Sequence, residues 1–399
     1  MKIAYFLENY KKGGVDTFVN NLLRKNLYKD KIFLIYNKNN PGNKKLLKIK
    51  NIKLISYSIF SWDEIFNIFE NSFFIYFLKI IYSIVFPITF FYQIIKLFYF
   101  FKINSFDKLM IINGGYPGGD ISLAATIAWS KIYPNKKPWI NFHNFALKRH
   151  RIPLLNFYKN LVDKTIKKSV VGFVSVSRIC TNTIKLRKNL KHVKTFTIHN
   201  GHSFDNKKKT LSLKKKFNLP KNSKILLMLA EYDLRKGHKY IINVMEKIVP
   251  QNKNIYLFIF GYGSKSEVEK LVLKSKVSSN IFLNNFEDNQ FGLIDQSDIL
   301  VISSQEYESF GYTAVEAMSL KKVVISTNFG GVKEIILNNK TGYLINKRNP
   351  VSFARKTLYL LNNEKIKQKM EKKSYLHYKR FFTSEIMIKN YNKLIRQSK

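Results

Sequence analysis

Short unbroken apolar runs alternate along this chain with longer stretches of mixed character, and that alternation predicts parallel strands separated by helices. The opening residues Met1-Lys2-Ile3-Ala4-Tyr5-Phe6-Leu7 read as a first strand, their apolar run being too short for a signal peptide. A glycine turn, Lys11-Lys12-Gly13-Gly14-Val15, then opens a helix running through Leu23. Further strand-like runs lie at 32–36, 109–112, 139–142 and 172–176. A second set begins at 225–229 and continues at 256–260, 299–302 and 323–326. Between the sets, after Asn200-Gly201, a lysine-rich, strand-free segment at 207–216 reads as a linker. At 399 residues the chain accommodates two domains, each with its own core. The pattern predicts a first α/β domain over 1–203, a second over 204–383, and a last helix within 384–399. In open parallel sheets a ligand sits outside the carboxyl ends of the strands.

The stretch most informative about chemistry reads Glu308-Ser309-Phe310-Gly311-Tyr312-Thr313-Ala314-Val315-Glu316. It follows the buried run 299–302, and residues 313–320 read as a helix before the next strand. A glycine at the loop-to-helix junction lets a ligand approach the backbone, and the helix start offers N–H groups to an anion. Glu316 would lie about 7.5 Å along the helix from Gly311, at roughly 1.5 Å per residue. That is about the reach from a diphosphate to an adjoining ribose. Glu308, on the loop, would stand on the other side of the phosphate. The arrangement suits a nucleotide sugar.

These residues resemble the E-x7-E signature of retaining glycosyltransferases, specifically glycosyltransferase family 4. The flanks strengthen the resemblance: Ser303-Ser304 before the loop, Glu316-Ala317-Met318 after it, then Gly330-Gly331-Val332-Lys333-Glu334 and Thr341-Gly342-Tyr343. An amphipathic helix with solvated glutamates is the bland alternative. The resemblance implies a GT-B fold: two Rossmann-like domains facing each other across a deep cleft, with the C-terminal helix crossing back to the first. It covers nearly the whole chain apart from roughly residues 58–105. The loop Gly114-Gly115-Tyr116-Pro117-Gly118 resembles one in bacterial members that build capsular or lipopolysaccharide glycans. Ser177 and Asn200-Gly201 match positions that shape the cleft and domain junction.

The resemblance also implies roles. Glu308 would orient sugar hydroxyls, Glu316 would hold the ribose, and His143, ending a strand, would contact the sugar from the facing domain. A hydrogen-bonded structural histidine is the competing reading of His143. Diphosphate contacts would come from Arg235, Lys236 and the backbone around Phe310, Gly311 and Tyr312, with Gly13 and Gly14 from the facing domain. Many relatives carry an arginine five residues before the lysine; this chain has Glu231 there, so Arg235 is the candidate second cation. Lys321 and Val323 replace the usual glycine and proline after Glu-Ala-Met. Gly261-Tyr262-Gly263 reads equally as a tight turn.

Composition narrows the partners. Lys and Arg number 69 against 26 Asp and Glu, a formal charge of +43 that favours anionic partners. No nucleic-acid-binding motif accompanies it. Enrichment in Lys, Asn, Ile, Phe and Tyr also fits a genome poor in G and C. The single cysteine, Cys180, allows no intrachain disulfide. The chain holds no Asp-x-Asp pair, so no metal and no cofactor are expected. An apolar insert at about 65–103 includes a run, 73–95, long enough to span a bilayer. Strands of one sheet are predicted on both sides of it, which argues against a single crossing. A hairpin broken at Pro87, helices lying in the membrane interface, and burial against the domain remain open.

The expected activity is transfer of a sugar from a nucleoside-diphosphate donor to a hydroxyl of a lipid-linked surface glycan, with retained anomeric configuration. The expected location is the cytoplasm, peripheral to the inner face of the cytoplasmic membrane. Two other readings share the architecture: a nucleotide-sugar epimerase, and a non-catalytic GT-B subunit binding a partner enzyme or glycolipid.

Overall fold

The computed structural model of the chain describes residues 1–10, 13–25, 27–66, 68–69, 72–204 and 212–397. Lys11-Lys12 of the expected glycine turn and residues 207–211 of the expected linker lie outside them. Leu213–Lys216 forms one helical turn. Two compact units are present, Met1–Gly201 with Ser384–Lys399, and His202–Thr383.

The first unit is built on seven parallel strands: β1 (Lys2–Glu8), β2 (Lys31–Asn37), β3 (Lys53–Tyr57), β4 (Lys108–Asn113), β5 (Trp139–Phe142), β6 (Gly172–Ser175) and β7 (Thr195–Thr197). Their order is β3-β2-β1-β4-β5-β6-β7. The second unit has six: β8 (Lys224–Leu229), β9 (Ile255–Gly261), β10 (Ile281–Asn285), β11 (Ile299–Ile302), β12 (Val323–Thr327) and β13 (Gly342–Ile345). These run β10-β9-β8-β11-β12-β13, again all parallel. In each sheet the winding reverses once, between β1 and β4 and between β8 and β11. Crevices for ligands open at such reversals, because the crossovers on either side depart in opposite directions.

The runs that predicted strands are the inner ones. β11 and β12 are buried along their whole length, as strands covered by helices on both faces must be. The four strands the pattern did not predict, β3, β7, β10 and β13, are the four sheet edges. Three of these edges, β3, β7 and β10, are partly solvated, and Lys53–Tyr57 and Thr195–Thr197 carry no long apolar run.

The Ser384–Gln397 helix belongs to the first unit. Its Met387, Ile388, Tyr391 and Leu394 join Phe18 and Leu22 in that unit's core. Asn141 Nδ2 donates to the Tyr391 hydroxyl at 2.9 Å, tying the helix to β5.

The apolar insert forms a single helix, Ser72–Ile103, with Pro87 inside it, and not a hairpin. Proline deprives Ser83 of its carbonyl partner one turn back and would ordinarily break the helix. Here Thr89 Oγ1 donates to the Val85 and Phe86 carbonyls at 3.3 and 3.1 Å, and Tyr82, Phe86 and Phe90 are buried on either side of the kink position. Contacts with neighbouring helices hold the chain helical through the proline.

At the carboxyl end of β1, Glu8 is buried and accepts from the Ser122 amide (2.6 Å) and the Tyr10 hydroxyl (2.9 Å). Burial, reinforced by Asp63, pushes its carboxyl up to about 8 from an ordinary 4.5. The folded chain therefore keeps a proton that the unfolded chain releases between those values. Stability from this group is full below about pH 4.5 and is lost as pH rises towards 8. Glu8→Gln keeps the shape and removes the titration. Between pH 5 and 8 wild type should lose roughly 1–3 kcal/mol relative to the variant. Parallel denaturation midpoints across that range would contradict this.

Candidate active site

The second unit's reversal point is built from the ends of β8 and β11. β11 is Ile-Leu-Val-Ile, buried throughout, and delivers Ser303 and Ser304 to the sheet's carboxyl edge. After β8 the chain makes a short turn, Leu234–Lys236, before the helix His238–Ile248. Gly237 joins them at φ +79, and a Cβ there would lie 1.9 Å from the Ser303 carbonyl oxygen. Only glycine allows that approach. Ser303 Oγ completes the junction by donating to the Lys236 carbonyl at 2.9 Å.

Lys236 is thereby aimed across the crevice. Its Nζ donates to Glu308 Oε2 and to the Tyr307 carbonyl, each at 3.3 Å. Ser304 Oγ donates to the same carboxylate oxygen at 3.0 Å. Thr327 Oγ1, at the end of β12, fixes the Ser304 carbonyl at 2.7 Å. Lys236, Ser304, Glu308 and Thr313 line one cavity with the ends of β8 and β11.

The backbone of Glu308 is clamped from behind. Gly331 N–H donates to the Glu308 carbonyl at 2.8 Å. Gly330 sits at φ +70, and a Cβ on it would fall 2.0 Å from that same oxygen. Gly311 follows in the left-handed region as N-cap of the helix Tyr312–Ser319. The Ala314 amide donates to the Gly311 carbonyl at 3.0 Å, and the helix dipole adds positive charge at this end. This end points to the carboxyl edge of the sheet, where Thr313 reaches the cavity.

Each expected residue has a definite place. Glu308 and Lys236 meet as an ion pair beside Ser304. Phe310 is 3% exposed, its ring against Phe382 and Tyr312; it anchors the loop. Glu316, also 3% exposed, lies on the helix with its carboxylate 3.9 Å from His202 Nδ1. The His202 ring meets those of Tyr312 and Phe204 edge-on. Nothing in the sequence marks His202 as a neighbour of Glu316, for the two are far apart in the chain.

Arg235 pairs with a neighbouring acid. Its Nε donates to both Asp233 oxygens at 3.0 and 2.9 Å, and Nη2 reaches Oδ2 as well. This pairing raises the guanidinium's pKa and lowers that of Asp233. The side chain is exposed and its positive charge is matched by Asp233, so Lys236, not Arg235, carries cationic charge to Glu308. Glu231, two residues before Asp233, is exposed. A second lysine was not foreseen: Lys347 Nζ donates to the Gln305 carbonyl at 2.7 Å, steadying the start of the same loop.

Gly13, Gly14 and His143 belong to the first unit. Gly13 N–H donates to the Asp16 carboxylate at 2.9 Å, and Gly14 opens the helix Gly14–Leu23. His143 follows β5, buried, with its ring centroid 4.3 Å from that of Phe18. Burial pushes its pKa down to about 3, so the imidazole is neutral at physiological pH. Its Nε2 is buried with no hydrogen-bond partner among the described residues.

Residues 210–377 match the family model described as glycosyl transferases group 1. Among curated proteins, N-acetyl-alpha-D-glucosaminyl L-malate synthase of Bacillus anthracis is 27% identical over 241 residues. That match takes in 60% of this chain and 62% of the relative, so it falls short of two thirds of the relative's length. Among solved structures, a glycosyltransferase from Rickettsia africae superposes with TM-score 0.76 at 20% identity, over 99% of this chain and 98% of that one. HepE of Anabaena, in complex with UDP-glucose, gives 0.73 at 14% identity over 99% of each chain. The chain therefore has the GT-B fold and carries a glycosyltransferase group 1 domain, and its relatives are glycosyltransferases.

Proposed function

We propose that this chain is a retaining glycosyltransferase that moves a sugar from a nucleoside-diphosphate donor to a hydroxyl of a glycan acceptor, lipid-linked in the cell. One observation carries the reading. A lysine and a glutamate are held as a pair at the mouth of a helix, at the reversal point of a parallel sheet, with a second glutamate further along that helix. The anomeric carbon–oxygen bond breaks with negative charge gathering on the departing diphosphate. Lys236 Nζ and the positive dipole end of the Tyr312–Ser319 helix stabilise that charge, already in position before the bond breaks.

Glu308 then serves the sugar. Its carboxylate, oriented by Lys236 and Ser304, accepts from sugar hydroxyls and faces the ring as it gains positive character. Glu316 accepts from the ribose hydroxyls. His143, neutral, offers a hydrogen bond to the sugar and not a charge. For retention, the acceptor oxygen bonds to the anomeric carbon on the face the diphosphate leaves, and a diphosphate oxygen takes the acceptor's proton. No metal is part of this scheme, so turnover should persist in EDTA.

HepE was solved with UDP-glucose, which makes UDP-sugars the first donors to test. The assay is release of free nucleoside diphosphate by purified protein, with and without glycan acceptors. Glu308→Ala should lower it about 100-fold or more, the scale of losing one positioned polar group. Equal release by wild type and variant would overturn the assignment, and donor isomerisation without acceptor would replace transfer with epimerisation.

A further inference from the structure

We propose that the first unit docks on an anionic lipid bilayer through the outer face of its Ser72–Ile103 helix, which lies along the membrane surface. The inference goes beyond the transfer reaction and stands without it.

The helix has two apolar faces. Tyr82, Phe86, Phe90, Gln93, Leu97 and Phe101, spaced three or four apart, are buried against the rest of the unit. At 100° per residue the opposite face carries Phe77, Ile84, Ile88, Phe91, Ile95 and Tyr99. All six are exposed, Ile88 by 74% and Phe91 by 64%. A helix that packs one face on a soluble core normally shows polar residues on the other. The neighbouring helix Pro153–Ser169 touches this one through Tyr158 and Phe86, and it too leaves large apolar side chains, Leu154, Phe157 and Leu161, in solvent. Six large apolar side chains exposed along one helix face mark an interaction site.

Charge selects the occupant. The insert helix contains Lys79, Lys96 and Lys102, all exposed, and no Asp or Glu. On the neighbouring helix Lys164, Lys167 and Lys168 are exposed, and its one acid, Asp163, is buried and bound to Arg187. The loop before it adds Lys148, Arg149 and Arg151. A surface with basic residues around apolar ones, and no exposed acid on either helix, complements anionic headgroups above acyl chains. A second copy of the same face would set these charges against their like.

The helix cannot span. β3 precedes it and β4 follows it within one parallel sheet, so both of its ends stay on the same side. Its inner face is also committed. Tyr82 donates to Asp120 at 2.5 Å, Asp120 pairs with buried Lys159, and Gln93 Nε2 donates to the Phe60 carbonyl at 2.9 Å. Crossing would strand those groups. At about 1.5 Å per residue the helix is roughly 48 Å long, well beyond a hydrocarbon thickness of about 30 Å, and suits a position in the interface.

The test is co-sedimentation of the purified full chain with vesicles of phosphatidylcholine alone or mixed with phosphatidylglycerol. Wild type should bind the mixed vesicles, at least tenfold more weakly those of phosphatidylcholine alone, and less as salt rises. The double variant Ile88→Glu/Phe91→Glu should lose at least tenfold in binding with an unchanged thermal midpoint, because both positions are exposed. Lys96→Ala/Lys102→Ala should lose about tenfold or more while leaving the apolar face intact. Absence of binding, or equal binding by wild type and the double variant, would overturn the proposal. So would a wild-type dimer in sedimentation that the double variant dissociates, since a second copy would then cover the face. Nucleotide release from a soluble donor, measured alongside, reports separately on the transfer reaction.

Discussion

Lys236→Ala is expected to lower donor turnover by about two to three orders of magnitude, the range found when one preset charge-stabilising donor is removed. Two effects add. The diphosphate loses the cation that the tight Lys236–Gly237–Ser303 junction aims at it. Glu308 loses its counter-ion, since the lysine ammonium stands 3.3 Å from its carboxylate, and would then face an anionic leaving group with only the Ser304 hydroxyl on it. The loss should fall in kcat and in donor affinity together, because the charge is present in the ground state and grows in the transition state. Arg235→Ala is the discriminating control. Its guanidinium already binds Asp233 on the surface, so the variant should retain most of the wild-type rate. A large loss in Arg235→Ala with little in Lys236→Ala would reverse the roles assigned here.

Gly330→Ala is expected to cost the second unit about 2–4 kcal/mol, from left-handed strain and a steric clash together. The methyl would sit 2.0 Å from the Glu308 carbonyl oxygen, a backbone atom that cannot swing aside as a side-chain end would. Relief means moving either Glu308 or the amide of Gly331 that donates to it. The thermal midpoint should fall by roughly 5–15 °C, at about 2–4 °C per kcal/mol for a domain of this size. Turnover should fall even in the fraction that remains folded. Gly114→Ala, where a Cβ meets open space, should change stability by less than about 0.5 kcal/mol. Equal midpoints for the two variants would show that the glycine pair does not clamp the glutamate loop.

The strength of the sequence signal followed burial. Inner strands such as β8, β11 and β12 are covered on both faces, so composition alone marks them. The edge strands β3, β7 and β10 are partly solvated and carry a weaker signal, while β13 is buried but only four residues long. A hairpin broken at Pro87 is one of the readings the sequence leaves open; the helix runs through the proline because packing against neighbouring helices outweighs a local preference.

At the site, residues close in the chain were legible and residues brought together by folding were less so. The Glu308–Glu316 spacing, the capping Gly311 and the Gly330-Gly331 pair all stand in one stretch and could be read together. The pairing of Arg235 with Asp233 was missed because a neighbouring acid is as often solvated as engaged. The approach of His202 to Glu316, and of Lys347 to the loop at Gln305, depends on three-dimensional placement that no local spacing encodes.

The most direct test is a crystal of the chain soaked with a nucleoside-diphosphate sugar. The diphosphate should lie within hydrogen-bond distance of Lys236 Nζ and the amides at the start of Tyr312–Ser319, with the ribose hydroxyls on Glu316 and the sugar beside Glu308. A donor bound with its diphosphate away from Lys236 and that helix start would contradict the account.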